Sequence, residues 1–532
     1  MGTTVCDAVV VGAGPNGLVA ANALGDAGWD VVLVEGQDEV GGAVRSAEVT
    51  APGFVSDLFS AFYPLAAASP VIRDLGLEEH GLVWCRAPDV LAHALPDGRA
   101  AVLRGSADAT AAGLDACSPG DGDAWLRMVA GWQRVRDPFL DALFTPLPAA
   151  RPVTRLLRRS GVSGTLDLAR LALLSVRRLG EEEFGSEEAR ILLSGNAMHS
   201  DVPPDGAGSA LFGWLLAMLG QDVGFPVPQG GAGSLATALR RRAESLGVEV
   251  RCGVPVTEVD VSAGRVGGVR LADGTSLRVR HAVLADVPAP VLYGGLVAPE
   301  HLPPRLLADI ARFDWDDATL KLNWALDTPI PWTATGAATA GTVHLGVDHD
   351  GLVDVAADLS TGRMPRRPFV LLGQMTTSDP TRSPAGTESA WAYTHLPRRL
   401  ACDEGAVGAQ VERLEEAVEQ VAPGFLARRR GRVVQTPRGM EAANASLSRG
   451  ALNAGTAALH QQLVLRPSRG LGRPETPVQG LFLAGASAHP GGGVHGACGW
   501  NAAVAALGQR GALGRVRRAL VRTAWARVLR EP

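Results

Sequence analysis

Cysteine and lysine are both scarce in this chain of 532 residues. Its six cysteines lie far apart, and no two of them have the Cys-x-x-Cys spacing of a redox dithiol or a zinc site. We therefore expect neither dithiol chemistry nor a bound metal, and free thiols of this kind fit a reducing cytosol. Lys321 is the only lysine, so arginine carries nearly all of the positive charge.

Strong net charge and long apolar runs are absent as well. The formal net charge is −5 at pH 7, which gives no electrostatic reason to expect a nucleic acid partner. The uncharged run 206–221 is shorter than the roughly 20 residues of a membrane-spanning helix, so we expect a buried helix or the wall of an apolar tunnel. The uncharged run 480–509 contains too many glycines for such a span. No basic segment followed by an apolar one opens the chain, and we expect a cytoplasmic protein without a signal peptide.

The N-terminal stretch carries a full set of signals for a dinucleotide site. An apolar run ending at Val11 predicts a buried strand, residues 18–27 have helical spacing, and a second apolar run ends on Glu35. The Gly-x-Gly-x-x-Gly turn between strand and helix permits a tight bend, close approach of a pyrophosphate and close helix packing. Glu35 follows the last glycine at nearly the usual spacing of about 20 residues for the acid that binds an adenosine ribose. The turn residues predicted to bind are Gly12, Gly14, Pro15, Asn16 and Gly17.

A second glycine pair, Gly41 and Gly42, follows the ribose acid and precedes Arg45. The pair lets the chain pass close to a ligand, and the arginine supplies a cation near phosphates or a flavin ring. In this motif the chain resembles the FAD-binding amino-oxidase and phytoene-desaturase superfamily, where such a pair signals FAD rather than NAD. The longer run from Asp7 to Ala21 is similar to the desaturase-like branch of that superfamily.

The resemblance implies roles for several other segments. The strand around Val256 would meet the adenine through its backbone, and the glycine turn at 229–233 would lie near flavin and substrate. The aromatic segment 54–63 would run beside the flavin, although the residues alone fit an ordinary core equally well. Lys321 in a predicted strand has either a structural role or a role in a Schiff base or flavin–water contact. The predicted cleft residues are Phe59, Phe62, Tyr63, Gly230, Gly231 and Lys321.

A second decisive stretch lies near the C-terminus. An apolar strand at 481–484 runs into a glycine cluster, and a helix of small residues follows at 501–507. The N-terminus of such a helix can stabilise negative charge at the pyrimidine end of a reduced flavin. The His-Pro-Gly-Gly-Gly element at 489–493 is similar to the C-terminal FAD signature of the desaturase-like branch. The flavin contacts expected here are Gly485, Ala486, Gly492, Gly493 and Val494.

Three histidines are candidates for acid–base chemistry. They are His489, His199 and His495, and His489 is preferred because it lies in the loop expected beside the flavin. His199 could equally be an ordinary hydrogen-bonded residue at a helix end. We expect non-covalent FAD and hydride transfer between flavin N5 and an apolar or polyene-like molecule, as in a desaturase or dehydrogenase. A flavin-dependent reductase or isomerase, and a non-catalytic flavin-stabilised interaction protein, are the alternatives that stay open.

The motifs and the resemblance together imply an α/β fold. We expect a Rossmann-like FAD-binding domain of the glutathione-reductase and amine-oxidase type, with a discontinuous α+β substrate domain. The basic amphipathic segments 166–179 and 511–532 suggest peripheral membrane contact, with solvated helices as the alternative. A homodimer also stays open. The predicted FAD-binding segments are 1–75, 225–290 and 475–510; the substrate segments are 76–224 and 291–474; and 511–532 is a C-terminal helix.

Overall fold

The computed structural model describes residues 4–470 and 472–529, in which two seven-stranded sheets form the framework. The strands are β1 (Thr4–Val11), β2 (Val31–Val34), β3 (Ser46–Ala47), β4 (Ser56–Asp57), β5 (Trp84–Cys85), β6 (Asp89–Ala94), β7 (Ala100–Arg104), β8 (Val227–Pro228), β9 (Glu249–Arg251), β10 (Val256–Ser262), β11 (Arg265–Leu271), β12 (Ser276–Ala285), β13 (Ala318–Leu326), β14 (Ala340–Leu345), β15 (Val370–Gln374), β16 (Glu388–Leu396), β17 (Arg429–Gln435) and β18 (Leu481–Leu483).

Helices surround both sheets. They are α1 (Pro15–Asp26), α2 (Pro64–Ala68), α3 (Pro70–Arg73), α4 (Ala107–Asp115), α5 (Asp121–Phe144), α6 (Ala150–Leu171), α7 (Val176–Glu183), α8 (Glu187–Ala197), α9 (Ser209–Asp222), α10 (Gly233–Ser245), α11 (Ala289–Val291), α12 (Pro304–Ile310), α13 (His349–Ser360), α14 (Met375–Ser378), α15 (Glu404–Val421), α16 (Pro437–Ala443), α17 (Ala497–Leu507) and α18 (Gly511–Val528).

The first sheet is a parallel sheet centred on β1. That strand pairs in parallel with β2 on one side and β12 on the other, and β9 and β18 extend the parallel set outward. Strands β10 and β11 add an antiparallel extension to the first half of β12. Both faces of β1 are covered, which explains why its sequence is a continuous apolar run rather than an alternating one. The unit β1–α1–β2 has the strand–helix–strand arrangement of a Rossmann-like fold.

The second sheet joins segments that are distant in sequence. Its order is β17-β13-β16-β15-β14-β6-β7, and only the β14–β6 pair is parallel. The hairpin of β6 and β7 therefore shares a sheet with strands from the range 318–435. This pairing is compatible with a discontinuous substrate domain, whose limits stay a prediction.

The structure defines the helical segments that were singled out in the sequence. The helix expected over 166–179 is broken, because α6 ends at Leu171 and Ser175 starts α7 by accepting the N–H of Arg178. The uncharged run 206–221 forms the largely buried α9. Within the described residues, every helix is too short or too polar to cross a bilayer. The C-terminal helix α18 covers much of the segment predicted at 511–532, of which 530–532 lie outside the described residues.

Candidate functional site

A cavity of about 530 Å³ lies between the two sheets. Val11, Val34 and Asp286, at or just after the carboxyl ends of β1, β2 and β12, line one side, and side chains of β13, β14 and β16 line the other. A smaller cavity of about 250 Å³ adjoins it. Both volumes together are in the range of small-molecule sites. The residues that line both cavities are Phe62, His199, Asn453, Gly493 and Val494.

The first glycine turn forms one end of the larger cavity. A Cβ on Gly12, which has φ +91°, would lie 2.5 Å from the carbonyl oxygen of Asp286. A Cβ on Gly14 would lie 2.7 Å from the Asp286 carboxyl oxygen Oδ2, and one on Gly17 would overlap the carbonyl oxygen of Gly12. Gly12 and Gly14, with Pro15 and Asn16, line the cavity, whereas Gly17 lies behind it in the helix–strand contact. The first turn of α1 is therefore presented to the cavity.

Glu35 follows β2 and also lines this cavity. Its Oε2 accepts the N–H of Ala13 at 2.7 Å, and its Oε1 accepts the N–H of Gln37 at 2.9 Å. The N–H of Val254 donates to the Glu35 carbonyl at 3.2 Å, which brings the start of β10 and Val256 beside the acid. Glu35 and Val256, the two residues predicted to contact the adenosine, thus lie together at one end of the cavity.

The second glycine pair packs directly against the first turn. Gly42 lines the cavity with φ +55°, and a Cβ there would lie 3.0 Å from the Cα of Gly14. Gly41, with φ +117°, lies behind it and donates its N–H to the carbonyl of Ala13 at 2.8 Å. Arg45 lines the cavity, and its guanidinium lies 5.3 Å from the centre of the Phe59 ring.

The C-terminal glycine cluster closes the other end. Ala486, Gly493 and Val494 line the larger cavity, and Gly492 lines the smaller one. Gly485 lies behind them, where a Cβ would be 2.8 Å from the carbonyl oxygen of Val287. The two glycine-rich motifs, which are hundreds of residues apart in sequence, therefore meet at one cavity.

The three candidate histidines have different surroundings. His489 lines neither cavity; its Nε2 lies 3.2 Å from the carbonyl oxygen of Thr145, and burial lowers its pKa to about 4. His495 lines the smaller cavity, but its Nδ1 accepts the N–H of Ala497 and so caps α17. Burial lowers the pKa of His495 to about 4 as well.

His199 is the histidine that lies at the junction of both cavities. Its Nε2 is 3.0 Å from Nε2 of His344 on β14, so one neutral ring donates to the other. Burial, with a smaller contribution from the neighbouring imidazole of His395, lowers the pKa of His199 to about 3. Burial also holds the pKa of His344 well below its usual range. Both rings are therefore neutral at pH 7, and the geometry favours His199 over His489 as a group that meets a bound molecule.

Lys321 has a structural environment. Its Nζ donates to the carbonyl oxygens of Asp57 and Phe59, at 2.6 and 2.8 Å, and lies 5.0 Å from the ring centre of Trp391. Burial lowers its pKa to about 7. The side chain lines neither cavity and instead holds the segment that carries Phe59 against the second sheet.

The other predicted cleft residues divide into two groups. Phe59 and Phe62 line the larger cavity, and Tyr63 lines the smaller one. Gly230 and Gly231 line neither cavity. The N–H of Gly230 donates to Asp379 at 2.7 Å, and Gly231, with φ +123°, packs on Ser46.

Sequence reasoning missed several side chains in and around this site, among them Asp286 and the His344 that contacts His199. Asp286 lies directly after the apolar strand β12, as Glu35 does after β2, and this position was a signal that could have identified it. His344 is in the middle of the second sheet and gave no signal of its own. Within residues 4–470 and 472–529, no group of three or more His, Cys, Asp or Glu side chains is suited to a metal ion.

The residues of the larger cavity fit an elongated dinucleotide. A Cβ on Gly12, Gly14 or Gly42 would crowd Asp286 or Gly14, so only glycine lets these turns pack this closely beside the cavity. The N-terminus of α1 provides a positive dipole end for phosphates. Glu35 and Val256 lie at one end of this cradle and the C-terminal glycines at the other. This arrangement suits an adenosine group at the first end and a flavin at the second.

Comparison with known proteins identifies related sequences and folds. The family model described as flavin containing amine oxidoreductase matches residues 16–507. Pyridine nucleotide-disulfide oxidoreductase domain-containing protein 2 from Rattus norvegicus is 30% identical, over 93% of this chain and 92% of that protein. A neurosporene-forming phytoene desaturase from Cereibacter sphaeroides is 27% identical over 92% of each chain. The crystal structure of an oxidoreductase from Methanosarcina mazei matches 94% of this chain and 99% of its own with a TM-score of 0.64, at 14% identity. The fold likeness confirms the predicted α/β class.

Proposed function

Because the chain belongs to the flavin-containing amine oxidoreductase family and is an FAD-dependent oxidoreductase, we propose that it is a desaturase or dehydrogenase of an apolar, polyene-like molecule. We also propose that FAD is bound non-covalently along the larger cavity. The name of the phytoene desaturase relative points to the same substrate class.

The smaller cavity is the observation that carries the substrate proposal. It opens beside the C-terminal glycine cluster and shares His199 and Gly493 with the larger cavity. An apolar lining binds an apolar chain by removing its surface from water, and it offers little to an amine or a sugar. The apolar lining residues include Leu143, Phe144, Phe212, Leu215, Leu216 and Phe225.

The residues at the junction suit the removal of a proton from such a substrate. Bound FAD supplies the acceptor for a hydride. Loss of hydride from one carbon makes a proton on the neighbouring carbon acidic, so a weak base is sufficient to remove it. We propose that His199 takes this proton on Nδ1, while its Nε2 stays hydrogen-bonded to His344. His489 and His495 stay as weaker candidates.

The proposed function is tested by mixing the purified, oxidised protein anaerobically with candidate substrates. We expect a polyene of the phytoene type to bleach the flavin absorbance, and a primary amine of similar length to leave it unchanged. Bleaching by the amine but not the polyene would contradict the substrate class. Rapid bleaching by NADPH alone would favour the reductase, and product formation without bleaching would favour the isomerase.

A variant of His199 extends the same experiment. We expect His199→Gln to bleach about 100- to 10,000-fold more slowly with the polyene, because it lacks the proton acceptor. His460→Gln changes a solvent-exposed histidine and should bleach at the wild-type rate. A His199→Gln protein with a normal flavin spectrum and a wild-type bleaching rate would remove His199 from the mechanism.

Contact with a membrane surface is proposed for the amphipathic helix α6. None of its residues is buried, and Val162 and Leu166 are 83% and 65% exposed. Arginines on the same helix, among them Arg151 and Arg158, would face anionic lipid headgroups. An enzyme that takes an apolar substrate benefits from this position because the substrate dissolves in the bilayer. A homodimer and a cytoplasmic location remain predictions.

A further inference from the structure

Asp286 follows β12, and its carboxyl group lies at the N-terminal end of α1, which is the end of a helix that attracts a dinucleotide's phosphates. Its Oδ2 accepts the N–H of Gly17 at 2.7 Å and lies 2.7 Å from the position that a Cβ of Gly14 would take. The side chain lines the larger cavity beside Gly12 and Asn16. The carboxyl group therefore meets the first turn of α1, and a diphosphate bound there would lie next to it.

An ionised Asp286 would repel a diphosphate bound next to it, because water screens two negative charges poorly inside a cavity. The group faces Glu35 from the end of β2, the Gly17 N–H from α1, and the Cys498 thiol from α17. Within the described part of the chain, no lysine or arginine forms an ion pair with Asp286. Burial raises the pKa of Asp286 to about 7, the Glu35 charge adds to this rise, and the Gly17 hydrogen bond opposes it.

We propose that Asp286 binds the FAD diphosphate as a neutral carboxylic acid, whose O–H donates to a phosphate oxygen while Oδ2 keeps the Gly17 N–H. This inference rests on the FAD site of the proposed function. Protons balance in the binding step. An ionised Asp286 takes one proton from water when FAD binds, whereas an Asp286 that is already protonated takes none. Asp286 is thus a cofactor-binding residue with a defined protonation state.

The consequence is an affinity for FAD that depends on pH. Below pH about 7 the acid is already protonated, so that the Kd for FAD is constant. Above that pH the protonated form becomes rarer, and the Kd rises by up to about tenfold for each pH unit. The asparagine of Asp286→Asn still offers an oxygen to Gly17 and N–H donors to the phosphate, and it does not titrate.

The experiment measures the Kd of the full-length, flavin-free protein for FAD between pH 6 and pH 9.5, from the quenching of flavin fluorescence. We expect the wild-type Kd to rise at least tenfold between pH 7 and pH 9, and the Asp286→Asn Kd to change less than twofold. Glu35→Gln is the matched control: its FAD affinity should fall at every pH while the upward slope of Kd remains, with the rise beginning at a lower pH because the Glu35 charge no longer raises the pKa of Asp286.

A second measurement needs no variant. Calorimetric titration with FAD at pH 8.5, in buffers with different ionisation enthalpies, should show an uptake of about one proton per FAD bound. A wild-type Kd that stays flat, an equal slope in Asp286→Asn, or no proton uptake at pH 8.5 would overturn the proposal for Asp286. Failure of the protein to bind FAD at any pH would instead overturn the FAD site itself.

Discussion

At the scale of single residues, paired buried charges hold together the segments that form one wall of the cavity. Asp57 and Arg382 form an ion pair of 2.7 Å in which both side chains are fully buried. The Asp57 carboxylate also accepts hydrogen bonds from the Ser46 hydroxyl and the Ala232 N–H. Lys321 donates to the backbone carbonyl of Asp57, and the Asp57 charge partly offsets the lowering of the Lys321 pKa by burial. This cluster joins the segment before Phe59, the 230–233 turn and the second sheet.

We predict that Asp57→Asn destabilises the protein by about 3–5 kcal/mol, because it leaves the buried Arg382 without its counter-charge. The matched control is Asp327→Asn, which breaks the Arg430–Asp327 pair, in which both side chains are more than half exposed. That change should cost less than about 1 kcal/mol. Thermal unfolding followed by circular dichroism measures both, and equal midpoints for the two variants would contradict the prediction.

At the scale of elements, two helices approach each other closely beside the cavity proposed to bind FAD. A Cβ on Gly499, in the first turn of α17, would overlap the carbonyl oxygen of Asn16 in the first turn of α1. Gly17 is packed in the same way against Gly12. Small residues at these positions bring two helix N-termini to one cavity, where their dipoles favour negative charge.

We predict that Gly499→Ala separates α17 from α1, lowers stability by about 1–3 kcal/mol, and weakens FAD binding at least tenfold. Gly408→Ala is the control, because Gly408 also lies within a helix, α15, yet a Cβ there would meet nothing within 4 Å. That control should be neutral or stabilising by up to about 1 kcal/mol. Thermal unfolding and flavin titration measure the two effects, and a Gly499→Ala protein with wild-type values in both would refute this packing argument.

At the scale of the whole molecule, α6 is the surface proposed to meet a bilayer. This helix exposes Val162 and Leu166 just after Gly161, which breaks the helical backbone with φ +67°. Leu173, just after the helix, is similarly exposed. Helix α5, against which α6 packs, ends at Leu143 and Phe144 in the wall of the smaller cavity. A membrane contact at α6 would therefore be connected to the apolar cavity by one helix.

We predict that the protein sediments with vesicles of mixed phosphatidylcholine and phosphatidylglycerol, and less with phosphatidylcholine alone. The double variant Val162→Gln/Leu166→Gln should bind at least tenfold more weakly, since it loses the burial of two apolar side chains. Leu520→Gln on α18 is the matched variant, because Leu520 is about as exposed as Leu166. Loss of vesicle binding in Leu520→Gln alone would show that α18 and not α6 contacts the membrane. Absence of vesicle binding in the wild type would contradict the proposed membrane contact.

Prediction from the sequence was most successful for features with short, regular spacing. The strand–turn–helix unit around Gly14, the acid at Glu35 and the C-terminal glycine cluster each depend on neighbours a few residues away. The α/β fold and the FAD cofactor were predicted from these local patterns and from their resemblance to the motifs of the FAD-binding amino-oxidase and phytoene-desaturase superfamily. Helix limits did not follow from the sequence pattern in the same way, because the break between α6 and α7 depends on a single cap at Ser175.

The sequence by itself determined where the chain turns, which strands are buried on both faces and which glycines must lack a side chain. Only the tertiary structure decided that Asp286 meets Gly17 across 269 residues, and that His199 rather than His489 lies between the cavities. It also decided that the single lysine binds backbone carbonyls instead of facing the site. The reason is physical: backbone conformation is governed by nearby residues, whereas burial, charge pairing and protonation depend on side chains that come together only when the chain is folded.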